Sequence, residues 1–211
     1  YSTMCGHGII ALVTAALETG MVDSAGERPV VRIDTPAGLV TATATMRDGR
    51  VASVTFENVP SYAVALDRTV EVPGHGLVTY DLGFGGAFYA YVDAGSVGVG
   101  LGQGDTDDLI RAGRTIKRAV AGAETFDHPD ADMNFLYGTI FTGPPQGDAD
   151  SRNVCVFADG QVDRCPTGTG VSGRLALRDA RDDLDVGEPF VVESIVGSTF
   201  TGQIAERTTA D

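Results

Sequence analysis

Two short loops carry the residues whose types and spacing could do chemistry. The first, Met4-Cys5-Gly6-His7-Gly8, runs straight into the apolar stretch Ile9-Ile10-Ala11-Leu12-Val13. The second, Asp163-Arg164-Cys165-Pro166-Thr167-Gly168-Thr169-Gly170, runs into a helix-like stretch from Val171 to Ala180. Cys5-Gly6-His7-Gly8 and Thr167-Gly168-Thr169-Gly170 share one design: a side chain capable of chemistry, two glycines flanking a polar residue, then a helix. One Gly-x-Gly is a weak signal. Two of them, each opening a helix, suggest a site built between two related halves.

Cys5 is the best candidate for a nucleophile or base, because a helix N-terminus stabilises a thiolate and lowers the thiol pKa. A cysteine is more often a small buried apolar residue, but Cys5 lies on a turn among glycines and a histidine. Cys155, between Val154 and Val156, fits the buried reading. Cys165 lies inside the second loop, two positions before its nucleophile slot, and is expected to point elsewhere. His7 either bonds a ligand or caps the first helix, and taken alone the cap is favoured. Asp163 either binds a cationic group or folds its turn. The amides of Gly6, His7 and Gly8, and of Gly168, Thr169 and Gly170, suit an anion, and a carboxylate is the natural guest. No lysine follows either loop, and neither spacing is that of a phosphate-binding loop or a dinucleotide fingerprint. A carboxylate flanked by a thiol suits proton abstraction next to a carboxyl group.

These loops need helices behind them and a sheet to hold the helices. Residues 8 to 19 read as a helix, with Ile9, Leu12, Val13, Ala16 and Leu17 near the i, i+3, i+4 rule and Gly20 as a stop. Strands are expected at Val30 to Asp34, Leu39 to Met46 and Arg50 to Glu57, with Asp48-Gly49 as a hairpin turn. Asn58-Val59-Pro60-Ser61 reads as a crossover, which divides the chain into 1–58, carrying Cys5, and 59–211, carrying Thr167. Further strands are expected at Val70 to Val72, Gly76 to Leu82, Ala87 to Val92, Asn134 to Phe141 and Asn153 to Phe157. Pro189 to Val196 and Thr199 to Ile204 read as a closing hairpin. Residues 105 to 121 read as a second helix, capped by Asp105 or Thr106, with Leu109, Ile110, Ala112, Ile116 and Val120 as its buried stripe. A third helix is expected over Val171 to Arg181.

Bulk composition narrows the partners. With 211 residues, 43% of them hydrophobic and 21% charged, the chain has the make-up of a globular protein that can bury a sizeable core. A net charge of -14 argues against nucleic acid and against anionic membranes as partners. No apolar run approaches the roughly 18 residues of a membrane span, and the opening residues lack the basic region of a secretory signal. Three cysteines cannot all pair and match no zinc spacing, and His7, His75 and His128 form no local metal motif. The expectation is a cytoplasmic protein that does not depend on a metal.

At these residues the chain resembles the proline racemase family, which includes 4-hydroxyproline epimerases and trans-3-hydroxy-L-proline dehydratases. The likeness takes in both loops and Val54-Thr55-Phe56-Glu57-Asn58-Val59-Pro60-Ser61. It also takes in Asp81-Leu82-Gly83-Phe84-Gly85-Gly86-Ala87-Phe88-Tyr89-Ala90, Phe135 to Phe141, and Glu193-Ser194-Ile195-Val196-Gly197-Ser198. The resemblance implies the α+β, two-domain fold shared with diaminopimelate epimerase. In that fold each half is a curved sheet around a central helix and the ligand lies between the two helix N-termini. It implies catalysis without a cofactor, His7 and Asp163 on the ring ammonium of the substrate, and Phe157 either in the core or lining the pocket. Family members have further strands before the first cysteine motif and a further segment after the final hairpin, so a partial chain, incomplete at both ends, is expected.

Racemases and epimerases of the family use two cysteines, one on each face of the substrate carbon. Here the second position is Thr167, an alcohol that cannot serve as an equilibrium base near neutral pH. That exchange resembles the dehydratases. In trans-3-hydroxy-L-proline the Cα hydrogen and the hydroxyl share a ring face, so one thiol can remove the first and protonate the second. The expected function is therefore dehydration to Δ1-pyrroline-2-carboxylate, with Cys5 as the single acid and base and Thr167 shaping the opposite face. Two alternatives are a racemase or epimerase in which Cys165 replaces the absent cysteine, and a non-catalytic binder of proline-like amino acids. The expected partner is a small molecule, hydroxyproline or proline, and a homodimer is the assembly to test.

Overall fold

The computed structural model describes residues 3–23 and 26–208. The chain divides into two compact units, Tyr1–Val59 and Pro60–Asp211, each built around its own helix and sheet. Among the described residues no helix is long and apolar enough to cross a membrane.

In the first unit a helix, α1 (Gly6–Glu18), precedes an antiparallel meander of β1 (Val30–Thr35), β2 (Gly38–Arg47) and β3 (Arg50–Glu57). The meander forms because alternating apolar residues meet turn residues where the chain must reverse. Asp48 and Gly49 take φ of 52° and 75°, the left-handed pair that a tight two-residue hairpin requires. The central strand β2 buries Val40, Ala42 and Ala44 on one face, as a period of two dictates. α1 packs on β2 and β3 and buries Ile9, Val13, Ala16 and Leu17. Leu12, placed in the buried stripe by the sequence, is instead 53% exposed. The face of α1 that meets β2 and β3 carries Ile9, Val13, Ala16 and Leu17, and Leu12 falls outside it.

The second unit is a mixed sheet. Its path runs β11 (Thr199–Gly202), β10 (Phe190–Glu193), β8 (Ser151–Phe157), β7 (Leu136–Gly143), β6 (Phe88–Asp93), β5 (Gly76–Phe84) and β4 (Tyr62–Val72), with the short β9 (Gln161–Val162) beside β8. Two neighbouring pairs are parallel, β6 with β7 and β8 with β10. A parallel pair needs a crossover. Helix α2 (Thr106–Ala123) lies in the first crossover and α3 (Gly168–Asp179) in the second. The helices take opposite faces of the sheet. Thr139 Oγ1 donates to the Gly113 carbonyl of α2, while the next residue, Ile140, lies so close under α3 that a Cβ on Gly170 would meet its Cδ1. Buried on both faces, β6 reads as a nearly continuous apolar run, and β8 does so from Val154 to Phe157.

Three local expectations need correction. β4 begins at Tyr62, well before the expected Val70, because register shifts at Ala63/Ala65 and Ala65/Arg68 break its alternation. Asp105 stands at the N-cap of α2, yet its carboxylate turns back to accept from Gly102 N–H at 2.9 Å, and Thr106 Oγ1 donates to the Gln103 carbonyl. Ile110 is only half-buried, and Gly113 takes the place beside Ala112 in the buried stripe.

Candidate functional site

The first loop opens α1 directly. Cys5 is the N-cap, in extended backbone (φ -137°, ψ 104°), and its carbonyl accepts the first helical hydrogen bond, from Ile9 N–H at 2.9 Å. The thiol is half-buried and does not cap the helix. It lies instead 3.5 Å from His7 Nε2 and 3.8 Å from Nδ1. The N-cap position belongs to Cys5, and His7 sits inside the first turn with its ring at the cysteine. Gly8 makes room for this pair, since a Cβ there would stand 3.1 Å from the sulfur. Thiol, imidazole and the N-terminal end of the helix thus meet at one place.

The second loop is knotted onto its own aspartate. Asp163 Oδ1 accepts from Cys165 N–H at 3.0 Å, and Oδ2 accepts from Cys165 Sγ at 3.3 Å and Thr167 Oγ1 at 2.9 Å. Cys165 Sγ in turn accepts from Thr167 N–H at 3.2 Å. Cys165, expected to point elsewhere, shares a carboxylate oxygen with Thr167, because a two-residue step in this tight loop returns the side chain to the same side. Thr167 is the N-cap of α3 at φ 67°, ψ 94°, a conformation rare for a β-branched residue and found mostly where surroundings enforce it. Those surroundings are identifiable. Asp163 N–H donates to the Cys155 carbonyl of β8, Asn153 Nδ2 donates to the Pro166 carbonyl, and Ser198 Oγ donates to the Arg164 carbonyl.

The helix behind the loop is seated just as closely. Tyr89 and Tyr91, two apart on β6 and so on one face, reach the first turn of α3: Tyr89 Oη shares a hydrogen bond with Thr169 Oγ1 at 2.8 Å, and Tyr91 Oη donates to the Gly170 carbonyl at 2.8 Å. Burial pushes both phenols well above their ordinary range, so they act as neutral hydrogen-bonding groups. Gly85 completes the seat, because a Cβ there would overlap the Thr169 carbonyl and Gly173 N. Cys155 is fully buried, and burial drives its thiol far above the ordinary range, in keeping with its place in the core among Ala87, Tyr89, Tyr91, Ile140 and Leu177. Phe157, half-buried, stacks on Tyr137 with centroids 5.5 Å apart.

Thus Cys5, Gly6, His7 and Gly8 come together at the head of α1, and Asp163, Thr167, Gly168, Thr169 and Gly170 at the head of α3. Asn153, Arg174 (which donates to Asn153 Oδ1 at 2.7 Å), Tyr89, Tyr91 and Ser198 were given no part in the site by the sequence reading. Only the two tyrosines carried a usable signal, their i, i+2 spacing in a strand that begins just after the Gly85-Gly86 break. Asn153 and Ser198 are distant from the loop in sequence, and Arg174, on α3, meets Asn153 only through the packing of that helix on the sheet.

Comparison with known proteins gives these loops a lineage. The family model described as "Proline racemase" matches residues 1–211. A trans-3-hydroxy-L-proline dehydratase of Colwellia psychrerythraea is 46% identical over 208 residues, covering 98% of this chain and 59% of that one. Among solved structures, a probable proline racemase from Agrobacterium radiobacter K84, with bound carbonate, superposes with a TM-score of 0.93 at 36% identity, over 99% of this chain and 62% of that one. A hydroxyproline epimerase from Agrobacterium vitis, with bound trans-4-hydroxy-L-proline, gives a TM-score of 0.90 at 34% identity, over 98% and 61%. The chain spans about three fifths of the length of the relatives it matches. By the extent of these matches, the chain belongs to the proline racemase family.

Proposed function

We propose that the full-length protein dehydrates trans-3-hydroxy-L-proline to Δ1-pyrroline-2-carboxylate without a cofactor, and that Cys5 is its only base. The observation that carries the reading is the chemistry of the second loop. Its side chain at the head of α3 is the alcohol of Thr167, donated to Asp163, where a two-base enzyme needs a second thiol. The 46% identical relative named as a dehydratase supports the same assignment.

In this reading the Cys5 thiolate removes the Cα proton, a C2–C3 double bond forms, and the C3–O bond breaks. The thiol returns its proton to the departing hydroxyl, which leaves as water, and the enamine tautomerises to the imine. His7, at 3.5 Å from the sulfur, supports the thiolate and faces the ring ammonium. The amides of Gly6, His7 and Gly8, and those of Gly168, Thr169 and Gly170, are donors of the kind that hold a carboxylate and the negative charge that develops on it. Thr167 supplies no base, and Asp163 sets the direction of its hydroxyl.

The test is a product assay. Incubation with trans-3-hydroxy-L-proline yields the imine, and Cys5→Ser abolishes it while retaining L-proline binding. A second reading has one observation in its favour: Cys165 Sγ lies at the same carboxylate oxygen as the Thr167 hydroxyl, so an epimerase using Cys165 is chemically intelligible. Deuterated water separates the two. Inversion with Cα exchange and no imine would replace the dehydratase with the epimerase; turnover of neither substrate, with ligand binding intact, would leave a binder.

A further inference from the structure

Asn153 lies on β8, is fully buried, and faces α3 and the loop that leads into it. Its amide spans two partners that dictate its orientation. Arg174 Nη1, from the second turn of α3, can only donate and stands 2.7 Å from Asn153 Oδ1; the Pro166 carbonyl can only accept and receives Nδ2 at 3.3 Å. The chain therefore runs from an arginine of α3, through one amide, to the peptide immediately before Thr167. That peptide matters because Thr167 sits at φ 67°, a conformation that must be held from outside. Asp163 holds the Thr167 hydroxyl, and Cys165 Sγ accepts from the Thr167 N–H, the nitrogen end of that peptide. Its other end, the Pro166 carbonyl, is held by Asn153.

We propose that Asn153, oriented by Arg174, is a positioning residue that fixes the Pro166–Thr167 peptide and so aims the first-turn amides of α3. An aspartate there could face Arg174 but would have no donor for Pro166; a leucine would serve neither. Burial lowers the Arg174 pKa to about 10, which leaves it cationic and an obligate donor at neutral pH. Arg174 is further packed over the Phe190 ring, 5.3 Å from its centroid, so its guanidinium approaches Asn153 along a fixed line. The catalytic consequence rests on the dehydratase reading; the ordering of the loop does not.

The experiment uses the full-length protein and two variants, Asn153→Asp and Arg174→Met. Asn153→Asp retains the acceptor for Arg174, so the fold is expected to stand, and it replaces the donor facing Pro166 with an oxygen. Hydrogen exchange of peptides spanning 163–170 should quicken several-fold in both variants, with β7 unchanged. With trans-3-hydroxy-L-proline, kcat should fall about tenfold to a hundredfold in Asn153→Asp, the scale expected for a displaced anchor, while KM moves less than about threefold and the melting temperature stays near wild type. Loop exchange like that of wild type in either folded variant would overturn the proposal, as would kcat/KM within twofold of wild type in Asn153→Asp. An inactive wild type would sink the dehydratase reading alone, and loop exchange would still decide the role of Asn153. If Asn153→Asp does not fold, exchange in Arg174→Met decides it.

Discussion

Thr167 Oγ1 donates its hydrogen bond to Asp163 Oδ2, 2.9 Å away, so the alcohol at the head of α3 is tied to a carboxylate four residues earlier. A hydroxyl bound in this way is a fixture of the loop, and its proton points at Asp163. The same oxygen also accepts from Cys165 Sγ, which makes Asp163 the hub of the turn.

Thr167→Val tests that hub. Valine keeps the β-branch and the volume but removes the donor. Asp163 then loses one of its partners, and loss of a hydrogen bond to a charged group costs about 1.5–3 kcal/mol. Urea unfolding should show a loss of that order. If dehydration requires only Cys5, imine formation should persist at a reduced rate; complete loss of product in a folded Thr167→Val would assign the hydroxyl a direct chemical step.

His7 and Gly8 should govern the reactivity of Cys5. The ring sits 3.5 Å from the sulfur, and a Cβ on Gly8 would stand 3.1 Å from it. In both His7→Ala and Gly8→Ala, alkylation of Cys5 by iodoacetamide should slow several-fold, the first by losing the imidazole and the second by moving the sulfur. Far-UV circular dichroism should not change. Unaltered alkylation in His7→Ala would leave the helix end as the sole source of activation.

The glycine loops and the helices behind them were legible because each is written in consecutive residues: a polar or glycine run, then a 3.6-residue apolar period. The Asp48-Gly49 hairpin was legible for the same reason. What supports the second loop was not. Asn153 reads as the last of three polar residues that open β8, and its partner Arg174 is 21 residues away. Ser198 reaches the Arg164 carbonyl across 34 residues. The start of β4 was hidden because its bulges interrupt alternation. Cys165 was misdirected because counting residues assumes a regular chain, and this turn is folded back on Asp163.

Arg152 and Glu193 should give the protein a pH-dependent strut. Both are buried, 2.9 Å apart, and Glu193 also accepts from Gln146 N–H at 2.7 Å. Burial by itself would raise the Glu193 pKa, but the amides of Gln146 and Gly147 and the Arg152 guanidinium outweigh it and hold the carboxyl below its usual range. A carboxyl depressed on folding adds stability above its unfolded pKa of about 4.3, and that stability is lost as pH falls through the folded value. Urea unfolding between pH 7 and pH 3 should therefore show a steeper acid loss in wild type than in Glu193→Gln. Arg152→Met, which leaves the carboxylate buried without its cation, should cost about 3–5 kcal/mol at pH 7.

Gly85 should be irreplaceable for a reason that no single-strand pattern reveals. It lies where the end of β5 passes under the first turns of α3, and an added Cβ would overlap backbone atoms of Thr169 and Gly173 rather than a movable side chain. The helix must then rise or the strand must bend. Either change disturbs the Tyr89–Thr169 and Tyr91–Gly170 hydrogen bonds that seat the helix. Gly85→Ala should destabilise the protein by about 1–3 kcal/mol, the usual range for overpacking, and lower its melting temperature by several degrees. L-proline affinity should fall by more than the lost folded fraction explains, because the displaced turn carries the amides of Gly168, Thr169 and Gly170. Gly104→Ala, at a position with open space around it, is the control, and equal behaviour of the two variants would refute the close-approach argument.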